Sequence, residues 1–155
     1  MELAEGMNAP AWKLPGDGGT TVSSDRGDKP MVLFLYPKDD TSGCTKEAIA
    51  FSELRPQFEA IGVDVIGLSP DSAASHDKFK AKHGLDVQLV SDEEKSTIEA
   101  LGAWKEKSMY GRKFMGVERS TFLMDGDGRI VRVWRKVKVP GHAEEVLEAA
   151  RSAFG

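Results

Sequence analysis

Hydrophobic positions change their period several times along the chain, and each change predicts an element. Ala11 to Leu14 and Thr20 to Ser23 are short extended segments around Gly16-Asp17-Gly18-Gly19. Those glycines supply the positive φ of a tight turn, so the opening predicts a hairpin. Met31-Val32-Leu33-Phe34-Leu35-Tyr36 is apolar without alternation and lies between Pro30 and Pro37. Such a run fits a strand buried on both faces of a sheet covered by helices. From Phe51 through Leu54, Phe58 and Ile61 the spacing becomes that of one helix face. This helix is expected to begin near Cys44 or Thr45, to kink at Pro56 and to stop at Gly62. Val63 to Ser69 reads as a second buried strand, and strand, loop, helix, strand predicts a right-handed parallel crossover.

Ser69-Pro70-Asp71-Ser72 can cap a helix that runs to about His83 and ends at Gly84. A short strand over Val87 to Val90 and a helix from Glu93 to Leu101 follow. Trp104 to Val117 mixes charge, methionine and aromatics without a period, and is expected to be a loop. Ser120 to Met124 and Ile130 to Arg135 read as strands joined by Asp125-Gly126-Asp127-Gly128, a hairpin signal. Ala143, Val146, Leu147, Ala150 and Phe154 then form one stripe of a C-terminal helix. This order predicts the α/β class: a thioredoxin-like sandwich with an N-terminal hairpin, its mixed central sheet flanked by helices. One domain over residues 1–155 is expected.

Composition narrows the function. A chain of 155 residues can bury roughly 70% of its unfolded surface, enough for a core without cross-links. Lys and Arg number 21 against 25 Asp and Glu, a net charge of −4, which argues against nucleic acid as a partner. No apolar run approaches the roughly 20 residues of a membrane span. Met1-Glu2-Leu3-Ala4-Glu5 lacks the basic and apolar regions of a secretory signal, so a cytoplasmic location is expected. The sequence holds one cysteine, Cys44, so no internal disulfide can form.

Cys44 falls where a buried strand has ended and a helix begins. Ligands of open α/β sheets bind at the carboxyl ends of strands. Unpaired N–H groups and the helix dipole at such a start favour a thiolate, the nucleophilic form. Thr41 stands three residues earlier, placed to aim a hydroxyl at the sulfur or at an atom beside it. Gly43 lets the backbone approach closely, and Pro37 can stiffen and screen the loop.

Tyr36-Pro37-Lys38-Asp39-Asp40-Thr41-Ser42-Gly43-Cys44-Thr45-Lys46-Glu47-Ala48 resembles the active-site segment of the peroxiredoxins, in particular the bacterioferritin comigratory protein (PrxQ) subfamily. The resemblance continues through Gly67-Leu68-Ser69-Pro70-Asp71, Ser75-His76-Asp77-Lys78-Phe79, Leu89-Val90-Ser91-Asp92 and Glu118-Arg119-Ser120-Thr121-Phe122-Leu123. It implies thiol-dependent reduction of hydrogen peroxide and organic hydroperoxides without metal or organic cofactor. By that pattern Cys44 is the peroxidatic nucleophile and becomes a sulfenic acid, Thr41 hydrogen-bonds the peroxide and Pro37 shields the pocket. Arg119 favours the thiolate and holds the peroxide oxygens, and Glu47 orients an arginine in the same network. Attack on an O–O bond develops charge on the leaving oxygen, so fixed donors there would stabilise the transition state. The chain departs from the subfamily at its resolving cysteine. The two positions where members carry it are Ile49 and Lys80 here. A one-cysteine cycle is therefore implied, with an external thiol such as glutathione, glutaredoxin or thioredoxin attacking the oxidised sulfur. A monomer or weak homodimer is expected.

Other readings of the same residues are simpler. Outside such a motif a lone cysteine is most often a small buried hydrophobe, Thr41 a turn residue and Arg119 a surface cation. His76, His83 and His142 lack metal-ligand spacing and are expected at solvated helix positions. Trp12, Trp104 and Trp134 read as packing residues. Lys105, Lys107, Arg112 and Lys113 read as a solvated loop. Two rival functions remain at this stage: a thiol–disulfide oxidoreductase and a non-enzymatic redox sensor or holdase.

Overall fold

The computed structural model describes residues 3–155. In chain order its elements are β1 (Lys13–Pro15), a 3-10 turn (Asp17–Gly19), β2 (Thr21–Ser23), β3 (Met31–Leu35), α1 (Ser42–Ala60), β4 (Asp64–Ser69) and α2 (Ala73–His83). There follow β5 (Gln88–Ser91), α3 (Ser96–Ala100), β6 (Trp104–Met109), β7 (Arg112–Val117), β8 (Ser120–Met124), β9 (Ile130–Trp134) and α4 (His142–Phe154). The main sheet has the order β5-β4-β3-β8-β9, parallel among β3, β4 and β5 and antiparallel across β8 and β9. The expected thioredoxin-like α/β sandwich with its N-terminal hairpin is the fold observed.

β3 is buried along its whole length because both its faces carry a core. Val32 and Phe34 join Phe51 and Phe58 of α1, Phe79 of α2, and Val146 and Leu147 of α4. Leu33 and Leu35 join Trp12, Val22, Ile98, Leu101, Val117 and Phe122 on the opposite side. Successive side chains of a strand alternate between faces, so two apolar layers leave no polar position in the run. Cys44 lies in the layer beneath the helices.

Local chemistry sets the ends of the elements. The Ser72 hydroxyl caps α2 by accepting from the Ser75 N–H at 3.1 Å, and Gly84 ends it in the left-handed conformation at φ 61°. α1 begins at Ser42, earlier than the apolar spacing indicates, and it continues through Pro56 to Ala60. α3 is shorter than expected, because Asp92 to Lys95 form a turn in front of it. No helix among the described residues is long and apolar enough to cross a membrane.

Two expectations are corrected. Trp104 to Val117 is a β-hairpin, with Tyr110 and Gly111 at φ 52° and 76° in the paired left-handed geometry that two-residue hairpins need. Among the described residues it pairs only with itself, and it exposes Met109, Tyr110, Phe114 and Met115, so no alternation of apolar and polar positions marks its strands. His76 and His142 are buried, not solvated, because each ring closes a polar contact inside the fold.

Candidate active site

The topology explains why residues 75 positions apart meet. β3 delivers the chain to Tyr36, a short loop turns back over the sheet edge, and α1 starts with Cys44 in its first turn. β8 runs antiparallel to β3 with Ser120 opposite Leu35, so Arg119, immediately before β8, arrives beside that loop. Cys44 and Glu47 are three residues apart on α1 and share a face of the helix.

One guanidinium joins them. Arg119 Nη2 donates to Cys44 Sγ at 3.2 Å, and Nη1 donates to Glu47 Oε1 at 2.6 Å. Cys44 is 2% exposed and Glu47 1% exposed, so the cluster is shielded from bulk water. The second Glu47 oxygen, Oε2, has no hydrogen-bond partner among the described residues. Burial accordingly pushes the Glu47 carboxyl up to about 7, although the charge and hydrogen bond of Arg119 act in the opposite direction. Burial acts to lower Arg119, and the negative charges of Glu47 and Cys44 more than reverse this, so the guanidinium stays charged. At Gly43 a Cβ would stand 3.3 Å from Arg119 Nη2, so this glycine leaves the guanidinium its space.

Thr41 occupies the N-cap position of α1 with extended backbone. Its hydroxyl donates to the Lys38 carbonyl at 2.8 Å, so toward any third group it can act only as an acceptor. Pro37 is half-buried at the start of the same loop. The structure thus brings Cys44, Glu47, Arg119 and Gly43 into one cluster, with Thr41 and Pro37 on the loop that leads to it. A sulfur held by a fixed cation at a helix start is suited to nucleophilic attack on a bond whose leaving atom gathers negative charge. Among the described residues no three His, Cys, Asp or Glu side chains converge as a metal site.

The pattern of the AhpC/TSA family matches residues 6–133. The chain belongs to that family, the peroxiredoxins. It is 45% identical over 152 residues to peroxiredoxin Bcp of Bacillus subtilis, covering 97% of each chain. To a crystal structure of Xylella fastidiosa PrxQ it is 44% identical, covering 99% of this chain and 97% of that one, with a TM-score of 0.90. It is 42% identical to Xanthomonas campestris bacterioferritin comigratory protein, covering 93% and 92% of the two chains with a TM-score of 0.88, and that protein is described as having alkyl peroxide reduction activity. Serine variants of Xanthomonas campestris peroxiredoxin Q, 43% and 42% identical to this chain, mark two cysteines 36 positions apart, the separation between Cys44 and Lys80 here. Peroxiredoxins are thiol-dependent peroxidases, and this one has a single thiol.

In this peroxiredoxin three residues beyond the sequence expectations adjoin the site. Lys107 reaches it from β6 and is half-buried instead of solvated. Burial lowers its pKa first, and the neighbouring Arg119 cation lowers it further. Asp39, inside the loop, is buried and accepts from Tyr36, Ser75 and His76. His76 donates through Nδ1 to Asp39 Oδ2 at 2.7 Å and through Nε2 to the Val90 carbonyl at 2.9 Å. Burial acts to lower this imidazole, and the hydrogen bond and charge of Asp39, with help from Val90 and Asp71, raise its pKa above the ordinary histidine value. For Asp39 the available signal was an aspartate four residues beyond the end of the buried β3. Nothing in the period of α2 singles out His76.

Proposed function

We propose that Cys44 is the peroxidatic nucleophile and that an external thiol returns it to the reduced state. The observation that carries this reading is the 3.2 Å contact between its sulfur and an arginine that Glu47 holds at 2.6 Å. The Cys44 thiolate attacks the terminal oxygen of a hydroperoxide, an S–O bond forms, the O–O bond breaks, and the alkoxide or hydroxide leaves to take a proton from solvent. The terminal oxygen keeps its own proton, so the product is the Cys44 sulfenic acid. Arg119 and the first N–H groups of α1 stabilise the charge that passes from sulfur to the leaving oxygen. The Thr41 hydroxyl, committed as a donor to Lys38, accepts from the O–H of the peroxide and so points its terminal oxygen at the sulfur. Pro37 closes the loop above them, and Gly43 keeps the guanidinium in place.

The sulfenic acid then condenses with a thiol of another molecule to a mixed disulfide and water, and a second thiol releases reduced Cys44. The vacancy at the subfamily's second cysteine supports this route, because Lys80 forms an ion pair with Asp17 at 2.9 Å where a resolving thiol would stand. A reductant of the reducing cell interior, glutathione, glutaredoxin or thioredoxin, fits the cycle.

The test is peroxide consumption with and without dithiothreitol, joined to mass spectrometry of residue 44. Wild type is expected to turn over only with thiol present and to carry one added oxygen or one attached thiol at Cys44. Cys44→Ser is expected to lose turnover entirely, and full activity in that variant overturns the reading.

A further inference from the structure

The Lys38–Asp39 peptide is gripped from both sides. Its N–H, that of Asp39, donates to Asp71 Oδ2 at 2.7 Å, and its carbonyl, that of Lys38, accepts from the Thr41 hydroxyl at 2.8 Å. A peptide unit is planar, so fixing its N–H direction also fixes its carbonyl direction. The side chain of Asp39 is held just as firmly. Tyr36 Oη donates to Oδ1 at 2.6 Å, while Ser75 Oγ and His76 Nδ1 donate to Oδ2 at 2.8 and 2.7 Å. The other imidazole nitrogen faces the Val90 carbonyl, which can only accept, so Nε2 carries a proton and Nδ1 is the atom turned to Asp39, whose hydrogen bond and charge raise the pKa of the ring. His76 is fully buried on α2, and its ring partners come from the loop after β3 and from β5.

We propose that His76 is a positioning residue for peroxide reduction: through Asp39 it fixes the 38–39 peptide, and through that peptide it holds the Thr41 hydroxyl as an acceptor for the peroxide O–H. The inference rests on the reading of Cys44 and Thr41 given above. Its chain of contacts is His76 to Asp39, Asp39 to the 38–39 peptide, the Lys38 carbonyl to Thr41, and Thr41 to substrate. Without the clamp the 38–39 peptide is held by the Asp71 bond alone, the Lys38 carbonyl can turn within that single restraint, and the Thr41 hydroxyl can donate elsewhere. The sulfur and Arg119 are not part of this chain, so the intrinsic reactivity of Cys44 toward a reagent that does not use Thr41 is untouched.

The experiment is a double-mutant cycle between His76→Gln and Thr41→Val, read as the second-order rate of Cys44 oxidation by hydrogen peroxide. Alkylation of Cys44 by iodoacetamide is the parallel readout. A glutamine can still donate toward Val90 but not toward Asp39. His76→Gln is expected to slow peroxide oxidation about tenfold, the size of one lost hydrogen bond in the transition state. It should leave alkylation within twofold of wild type. In the Thr41→Val background the same change should cost less than twofold, since its target is already gone. His76→Asn, whose amide nitrogen mimics Nδ1, should recover most of the rate. Equal losses in both backgrounds, or equal losses of oxidation and alkylation, overturn the proposal. If His76→Gln does not fold, Ser75→Ala takes its place in the cycle with the same expected pattern and a smaller loss. Wild-type protein oxidised at a residue other than 44 overturns the Cys44 reading, and normal Cys44 oxidation with an additive cycle overturns the role of His76 alone.

Discussion

Two buried ion pairs flank the start of α1, and they are built on opposite plans. In the Asp39–His76 pair every polar atom is satisfied, since Asp39 receives three donors and the imidazole gives one proton to Asp39 and one to Val90. In the Glu47–Arg119 pair one carboxylate oxygen takes a single donor and the other takes none among the described residues. Arginine usually meets a carboxylate with two parallel hydrogen bonds. Here the second nitrogen is aimed at the Cys44 sulfur instead, and the orphaned Glu47 oxygen is the counterpart of that diversion. A satisfied network holds a loop still, whereas an unsatisfied one leaves its cation a bond to share with a second group, here the Cys44 sulfur.

By that division the largest expected loss of rate, short of removing the thiol, comes from the unsatisfied pair. Arg119→Ala is expected to slow Cys44 oxidation by roughly 10²- to 10³-fold, the cost of a donor at a developing charge. Stopped-flow fluorescence of peroxide oxidation measures it, with far-ultraviolet circular dichroism to show the fold retained. Arg119→Lys should recover only part of the rate, because an ammonium cannot serve Glu47 and Cys44 from one rigid fork. Full recovery by lysine would mean that charge alone matters and the fork does not.

Stability separates the pairs in the other direction. The Glu47 carboxyl is raised to about 7 from 4.5, so between those values the unfolded chain gives up a proton that the folded chain keeps. Stability attributable to this group therefore falls as the pH rises through that window, by up to about 3 kcal/mol, and stays reduced above it. Glu47→Gln removes the titration. Urea melts should show the variant gaining on wild type by up to about 3 kcal/mol between pH 5 and pH 8. Asp39→Ala is expected to destabilise by about 3 kcal/mol at pH 7, because it leaves the buried Tyr36, Ser75 and His76 polar groups without their shared partner. A pH-independent difference for Glu47→Gln would contradict the unsatisfied state of Glu47.

What the sequence made legible follows the same line. The apolar run of β3, the glycine after α2 and the Pro37-to-Ala48 segment are local signals, and they located the sheet, its helices and the Cys44 loop. Arg119 was reachable only through the family pattern, since its place beside Cys44 depends on the pairing of β8 with β3. Periodicity does not reveal His76, because a buried polar ring leaves no mark on it: its neighbours Lys78 and Asp77 are exposed, and its partner Asp39 lies 37 positions away. The β6–β7 hairpin was missed for a related reason. A ribbon standing off the main sheet is exposed along most of its length, so little imposes alternation, and Lys107 reads as one more solvated cation although it borders the site.

The smallest expected effect probes the space around the shared guanidinium. A Cβ at Gly43 would lie 3.3 Å from Arg119 Nη2, closer than side chains normally pack, so Gly43→Ala must push the guanidinium by a few tenths of an ångström. Gly43 lies in the first turn of α1, where alanine is the better helix former by up to about 1 kcal/mol. The variant should therefore keep or raise its melting temperature while oxidising about two- to fivefold more slowly, a change well under 1.4 kcal/mol in the barrier. Combined with Glu47→Gln, which loosens the hold on Arg119, the penalty should shrink, because a guanidinium free to move can yield to the new methyl group. An unchanged rate for Gly43→Ala alone would show that Arg119 serves Cys44 from a wider range of positions than a single shared fork allows.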